Sequence, residues 1–248
     1  MHWSLITDPT GLPGAHQMAI DDALLRRAAD GVAFLRWYGW SPACLSFGRN
    51  EPALTRYDRE RIEALGLDTV RRPTGGRAVW HDVEVTYAVA GPAGLFGSLP
   101  ETYRAIHDVI ARGLGGLGVP AALAAAAPPQ SPDAGACFAS PAGGEVVVRG
   151  RKLVGSAQVR EGNAFLQHGA ILLVDRQDVV AQVTRGAAPA SQATSLGEVL
   201  GRDVTFAEVS DAVTEAARAA WPGTWSSSSP PAVPAHNRYA DPDWTWRR

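Results

Sequence analysis

Lysine is almost missing from this chain. Of its 23 Lys and Arg residues, a single one, Lys152, is lysine. Arginine serves any solvated face as well as lysine does; it cannot supply a compact ammonium whose proton is within chemical reach. A lone lysine against that drift is therefore a candidate functional residue. Cysteine is scarce too. Cys44 and Cys137 lie far apart, and nothing resembles a small stapled secreted domain, so both thiols are expected to be reduced. Surplus positive charge is absent, the formal net charge being −2, which argues against a general nucleic-acid partner. No run approaches the roughly 18 apolar residues of a membrane span. Met1-His2-Trp3-Ser4-Leu5 lacks the basic and apolar regions of a signal peptide. There is no zinc-like spacing of His, Cys and Asp, no Walker loop, no Gly-x-Gly-x-x-Gly fingerprint and no internal repeat. These absences predict a soluble cytoplasmic protein with no metal, membrane or nucleic acid; a monomer is expected.

What is present is an ordinary globular composition, 46% hydrophobic and 19% charged over 248 residues, enough for one large core. Strands are expected at 3–8, 34–38, 44–47 and 84–89, and helices at 16–29, 57–65, 101–117, 178–184 and 206–220. Residues 124–135, rich in Ala and Pro, read as a flexible excursion. From 145 to 174 the pattern changes to period two, with turns at Arg149-Gly150 and Glu161-Gly162-Asn163, which predicts an antiparallel meander. The absence of βαβ alternation argues for an α+β fold with a mixed, mostly antiparallel sheet flanked by helices. Residues 1–225 are expected to form the catalytic domain. A Ser/Pro linker and short aromatic tail, 226–248, are expected to pack on that same domain.

Two stretches carry chemistry. Arg71-Arg72-Pro73-Thr74-Gly75-Gly76-Arg77-Ala78 pairs glycines, whose N–H groups can approach an anionic or carbonyl oxygen, with flanking arginines that add charge; His81-Asp82 follows closely enough to line the same pocket. The second runs through Cys137-Phe138, Gly150-Arg151-Lys152, Gly155-Ser156-Ala157-Gln158 and Gln167-His168-Gly169. Cys44, in an apolar strand, reads as core. Trp3, Trp37 and Trp40 read as core or rim, and His2, His107 and His236 receive no role.

Together these runs resemble the superfamily of lipoate–protein ligases, octanoyltransferases and biotin–protein ligases. Arg71 to Asp82 is similar to its signature loop, and Gly150 to Gly169 to its lysine strand and following hairpin. Met18-Ala19-Ile20-Asp21-Asp22-Ala23-Leu24-Leu25, Arg36-Trp37-Tyr38-Gly39-Trp40 and Arg238-Tyr239-Ala240-Asp241-Pro242-Asp243-Trp244 match further family segments in order. Cys137-Phe138-Ala139-Ser140-Pro141 ahead of Lys152 resembles the Gram-positive (LipM-type) octanoyltransferases, as does His81-Asp82-Val83-Glu84-Val85-Thr86-Tyr87. After Pro141 those transferases carry Ser-x-Tyr-Glu, where this chain has Ala142-Gly143-Gly144-Glu145.

The resemblance implies a class II aminoacyl-tRNA synthetase/biotin synthetase-like catalytic domain. It implies octanoyl transfer from acyl carrier protein, through a Cys137 thioester, to a lysine of a lipoyl domain of the 2-oxoacid dehydrogenases or of the glycine-cleavage H protein, with no cofactor. Cys137 and Lys152 would be catalytic. Arg72, Thr74, Gly75, Gly76, Arg77, Ala78, His81, Gly155, Ser156, Ala157, His168 and Gly169 would bind substrate. Chemically, a free thiol near pKa 8.5 is only a few per cent thiolate at pH 7, and a neighbouring ammonium lowers it by roughly one to two units. Either Lys152 or His168 could take the proton of the acceptor amine. Backbone N–H groups of the 74–77 loop or of the Cys137 turn could hold the oxyanion. The alternatives are a lipoate–protein ligase using ATP and Mg²⁺, and a non-catalytic acyl- or adenylate-binding relative.

Overall fold

Residues 32–40 alternate as a strand buried on both faces must. In a computed structural model that describes residues 1–125, 143–186 and 191–248, Leu35 and Trp37 enter one apolar cluster while Phe34 and Tyr38 enter another. The chain begins with β1 (His2–Leu12), α1 (Gly14–Ala28), β2 (Val32–Trp40), β3 (Cys44–Phe47), α2 (Ala53–Arg56), α3 (Arg59–Ala64) and β4 (Asp68–Arg71). There follow β5 (Val79–His81), β6 (Glu84–Pro92), α4 (Leu99–Gly116), β7 (Ala122–Leu123), β8 (Val146–Val148), β9 (Arg151–Lys152), β10 (Val154–Glu161) and β11 (Ala164–Leu172). It closes with α5 (Asp178–Val183), α6 (Leu196–Leu200), α7 (Phe206–Ala220), β12 (Thr224–Ser227), a short 3-10 helix (Arg238–Ala240) and α8 (Pro242–Thr245). β5 and α6 are too short to show a period, which is why pattern alone does not announce them.

Among the described residues the strands form three sheets. The largest has the order β10-β11-β6-β2-β1-β12; its first three pairings are antiparallel and its last two parallel. This is the mixed, mostly antiparallel sheet expected. The smaller sheets are β4-β3-β5 and β7-β8-β9.

Helices α4 and α7 cover one face of the main sheet. Both start with a capping box, Ser98/Glu101 and Thr205/Glu208, which satisfies first-turn donors that would otherwise be orphaned. They bury Ile106, Ile110, Val209 and Val213 with Trp37, Tyr87 and Val89 of the sheet. Helix α1 covers the other face, placing Met18, Leu24 and Leu25 with Phe34, Ala88, Ala90 and Leu166. Cys44 is fully buried in this second layer, and burial pushes its thiol well up.

Two local expectations change. The period-two stretch from 145 to 174 does not form one meander: β8 and β9 join the third sheet and β10 and β11 the main one. The break falls after Lys152, whose backbone turns aside to bridge Ala193; its N–H donates to the Gln192 carbonyl (3.2 Å) and its carbonyl accepts from Thr194 (2.9 Å). The Ser/Pro stretch begins not as linker but as edge strand β12, with Ser226 and Ser227 opposite Ser4 and Leu5. The tail beyond it buries Tyr239 in the α1 layer. There Trp244 Nε1 donates to the Arg71 carbonyl (2.9 Å) and Arg71 Nε donates to the Thr245 carbonyl (2.8 Å). The Ala/Pro excursion expected before Cys137 falls largely within 126–142, outside the described residues, as does Cys137 itself.

Candidate active site

The glycine loop leaves β4 and is held from inside. The arginines expected to charge its ligand face turn instead into the protein. Arg71 donates to the carbonyls of Gly48 and Glu51 (2.7 and 2.8 Å). Arg72 Nη1 reaches the Ser46 carbonyl and hydroxyl (2.9 and 2.5 Å), and its Nη2 the carbonyls of Gly75 and Arg77 (3.2 and 2.8 Å). The physical reason is the loop's own shape, which points carbonyl groups inward where only a multi-donor cation can satisfy several at once. Gly76 adopts φ +88, and a Cβ on Gly48 would overlap its carbonyl oxygen.

Three histidines then organise the interior. Arg36, Ala88 and His168 stand abreast on β2, β6 and β11. The short side chain between the two long ones leaves room for Asp21 of α1, whose Oδ1 accepts from Arg36 Nη1 (2.6 Å) and whose Oδ2 accepts from His168 Nδ1 (2.8 Å) and the Tyr38 hydroxyl (2.9 Å). Burial by itself would raise the Asp21 carboxyl, but Arg36 and His168 outweigh it and hold it low. Burial lowers His168 against the pull of Asp21. The ring is therefore neutral, protonated on Nδ1, and its Nε2 accepts from the Thr74 hydroxyl (2.7 Å).

His81 has Nδ1 2.7 Å from Glu84 Oε1 and Nε2 2.6 Å from Ser46 Oγ, with the Trp40 ring stacked on it at 4.0 Å. Trp40 Nε1 donates to Thr86 Oγ1 (2.7 Å), which in turn donates to Glu84 Oε1 (2.5 Å).

The third is His107, to which the sequence reading assigns nothing. It is fully buried, and burial pushes it down to about 4. Its Nδ1 donates to the Gly144 carbonyl (2.7 Å), which can only accept, so Nε2 must accept; the Ser156 hydroxyl at 2.8 Å is nearer to it than the Tyr87 hydroxyl at 3.3 Å and takes that place. Ser156 Oγ then receives the Tyr87 hydroxyl (2.7 Å), and Tyr87 receives Gln167 Nε2 (3.0 Å). The available signal was position: His107 lies next to Ile106 on the buried face of α4 and touches Tyr103, four residues earlier, ring against ring at 4.1 Å.

These groups surround a pocket. Arg72, His81, Gly155, Ser156, Ala157, His168 and Gly169, all marked from the sequence, line it. Met18, Tyr38, Trp40, Val79, Thr86 and Ala170 complete the wall without having been marked. Thr74 reaches the pocket only through His168. Gly75, Gly76 and Arg77 form the more open rim of the loop, while Ala78 joins the separate core of Leu45, Phe47 and Trp80. Gly169 is needed for packing, since a Cβ there would overlap Ser156 Oγ and come within 2.8 Å of Tyr87 Cε1.

Lys152 lies apart from this lining. It is 2% exposed, and its Nζ donates to Glu145 Oε1 at 2.6 Å, so the lone lysine is half of a buried ion pair. Among the described residues, no group of three or more His, Cys, Asp and Glu could hold a metal ion. No helix among them is long and apolar enough to cross a membrane.

The main sheet carries one helix on one face and two on the other, and the pocket lies between α1 and the strands. Residues 13–218 match the lipoyl protein ligase A/B catalytic domain family, and the chain belongs to it. It is 44% identical over 183 residues to "Octanoyltransferase LipM" of Kyrpidia tusciae, a match covering 69% of this chain and 66% of that relative. It is 38% identical over 229 residues to the protein of the same name in Symbiobacterium thermophilum, covering 85% and 83%. Among solved structures, lipoate-protein ligase A bound with ATP superposes with a TM-score of 0.81 at 18% identity, over 99% of each chain. A bi-partite lipoate protein ligase from Thermoplasma acidophilum, described with its E2 lipoyl domain, gives 0.76 at 18%, over 99% of this chain and 97% of that one. Likeness at this identity speaks for the fold alone.

Proposed function

We propose that this chain is an octanoyl-[acyl carrier protein]–protein N-octanoyltransferase that works without ATP or metal. In this reading the Cys137 thiolate attacks the carrier's thioester carbonyl. A new C–S bond forms on Cys137 and the carrier leaves as its thiol. The neutral ε-amine of a lysine on a lipoyl domain, or on the glycine-cleavage H protein, then attacks the enzyme thioester; C–N forms, C–S breaks, and Cys137 departs as thiolate. The first exchange is between two thioesters and close to isoenergetic, and amide formation drives the second. The observation that carries the reading is the agreement, over most of the chain, with relatives named as octanoyltransferases.

The chemistry of the site fits. Burying the hydrocarbon of an octanoyl chain is worth about 5 kcal/mol at roughly 0.8 kcal/mol per CH₂, and the pocket has the apolar wall to receive it. Lys152, paired with Glu145, is in this reading the cation that stabilises the thiolate and holds the oxyanion of each tetrahedral intermediate. Both nitrogens of His168 are already engaged, by Asp21 and Thr74, and an ammonium at Lys152 cannot accept, so the proton lost by the acceptor amine ends on the departing Cys137 sulfur.

The test is direct. With octanoyl-acyl carrier protein and no ATP, mass spectrometry should find an octanoyl adduct on Cys137, absent in Cys137→Ala. ATP-dependent lipoylation that survives Cys137→Ala, with no adduct on the parent protein, sinks the reading.

A further inference from the structure

Among the described residues, no hydroxyl, indole or imidazole group lining the pocket has a hydrogen left for a ligand. The Tyr38 hydroxyl is directed at Asp21, the Trp40 indole N–H at Thr86, the Thr86 hydroxyl at Glu84 and the Ser156 hydroxyl at His107. His81 and His168 have both ring nitrogens engaged, and both amino groups of Arg72 are engaged on the loop and Ser46. The remainder of the wall is hydrocarbon or glycine. Nor does any lining side chain carry a buried donor without a partner. Such a wall gives a methylene chain van der Waals contact and gives a carbonyl oxygen nothing in return for the water it loses.

We infer that this closure is the enzyme's filter on the acyl chain: the pocket admits a plain hydrocarbon and rejects a chain bearing a keto oxygen beyond its thioester carbonyl. Two residues set the filter. Thr86 takes the Trp40 N–H and passes its own proton to Glu84, while His107, standing behind Ser156, takes the hydroxyl that would otherwise face the ligand. The inference rests on the octanoyl-transfer reading of this same pocket and adds to it which thioesters are refused.

A competition reads it. The wild-type protein is given equal amounts of octanoyl- and 7-oxooctanoyl-acyl carrier protein and a lipoyl domain, and the two acylated products are counted by mass spectrometry; their ratio is the ratio of kcat/KM. The ketone replaces a methylene at nearly constant volume and can only accept. Octanoyl product should lead by roughly 10- to 100-fold, the cost of an unpaired buried carbonyl. Equal incorporation of the two chains overturns the filter and leaves octanoyl transfer standing. No transfer of either chain overturns the functional reading, and the filter with it. Thr86→Val keeps the shape of the wall and frees the Trp40 N–H to meet the ketone, so the ratio should contract by roughly tenfold, about one hydrogen bond's worth. Because both chains are measured on the same molecule, partial loss of folded protein cancels. A ratio unchanged in Thr86→Val rules out donor closure as its source.

Discussion

The two sides of the site are built differently. On the main-sheet side, Arg36, Ala88 and His168 are fixed by the register of three long strands, charge is cancelled internally between Asp21 and Arg36, and the polar groups that line the pocket, Arg72 included, are hydrogen-bonded within the protein. On the other side, Lys152 and Glu145 face each other where the two-residue β9, paired with β8 over two residues, meets the 192–194 stretch through a single bridge to Ala193. The contrast follows from what each side handles. A hydrocarbon chain gains nothing from charge, and an ion beside it would lose hydration for no return. A reacting carbonyl and a thiolate need charge close by. On the proposed function, recognition falls to the rigid sheet and reactivity to its irregular margin.

The largest effect should come from breaking the charged side. Lys152→Met paired with Glu145→Gln removes both charges at similar volume, leaving no orphan ion. Single-turnover transfer from octanoyl-acyl carrier protein should fall by roughly 10²- to 10⁴-fold, the range for loss of a positioned charge or proton carrier. Unfolding by urea should change little by comparison. A double variant within tenfold of the parent would remove Lys152 from the chemistry and dissolve the contrast between the two sides.

The neutral side should fail differently, in stability. Arg36→Met leaves Asp21 fully buried, facing His168 and Tyr38 with no cation. Breaking a buried pair in this way costs about 3–5 kcal/mol, to be read from the urea midpoint at pH 7. A loss below about 1 kcal/mol would mean that the layer tolerates an uncompensated carboxylate, and that its register is not set by this network.

Legibility from sequence divides along the same line. The loop glycines and the Gly155-to-Gly169 hairpin stand in contiguous motifs, and seven of the marked residues do line the pocket. The residues that complete the wall, such as Met18, Trp40 and Ala170, come from separate strands and α1 and meet only through pairing register, which no local pattern encodes. Arg71 and Arg72 show the opposite limit: their number near the loop is visible, but not that the backbone turns its carbonyls toward them. Asp21 was present in the quoted Met18-to-Leu25 segment, a carboxylate at the centre of an apolar helix face. Such a placement demands a buried cation, and Arg36 on the next strand was there to be paired with it.

His107 gives the finest probe of the neutral side, because it changes charge within an accessible pH range. Its folded value of about 4 lies below the roughly 6.5 of an unfolded histidine. Between those values the unfolded chain binds more protons than the native one, so stability must rise with pH across this window and fall as the solution is acidified. The contribution is complete above about pH 6.5; acidification from pH 7 to pH 5 removes about 2 kcal/mol of it, and the whole amounts to roughly 3 kcal/mol below pH 4. His168, also lowered by burial, adds a slope of the same sign. His107→Gln isolates one ring from the other, since an amide can still donate to Gly144 and accept from Ser156 yet does not titrate. Urea unfolding of both proteins at pH 5, 6 and 7 should therefore converge as pH falls, the parent losing about 2 kcal/mol more than His107→Gln between the extremes. Parallel pH profiles would show that His107 carries its proton in the folded protein, in which case the Ser156 hydroxyl is released toward the pocket and the neutral wall is not neutral.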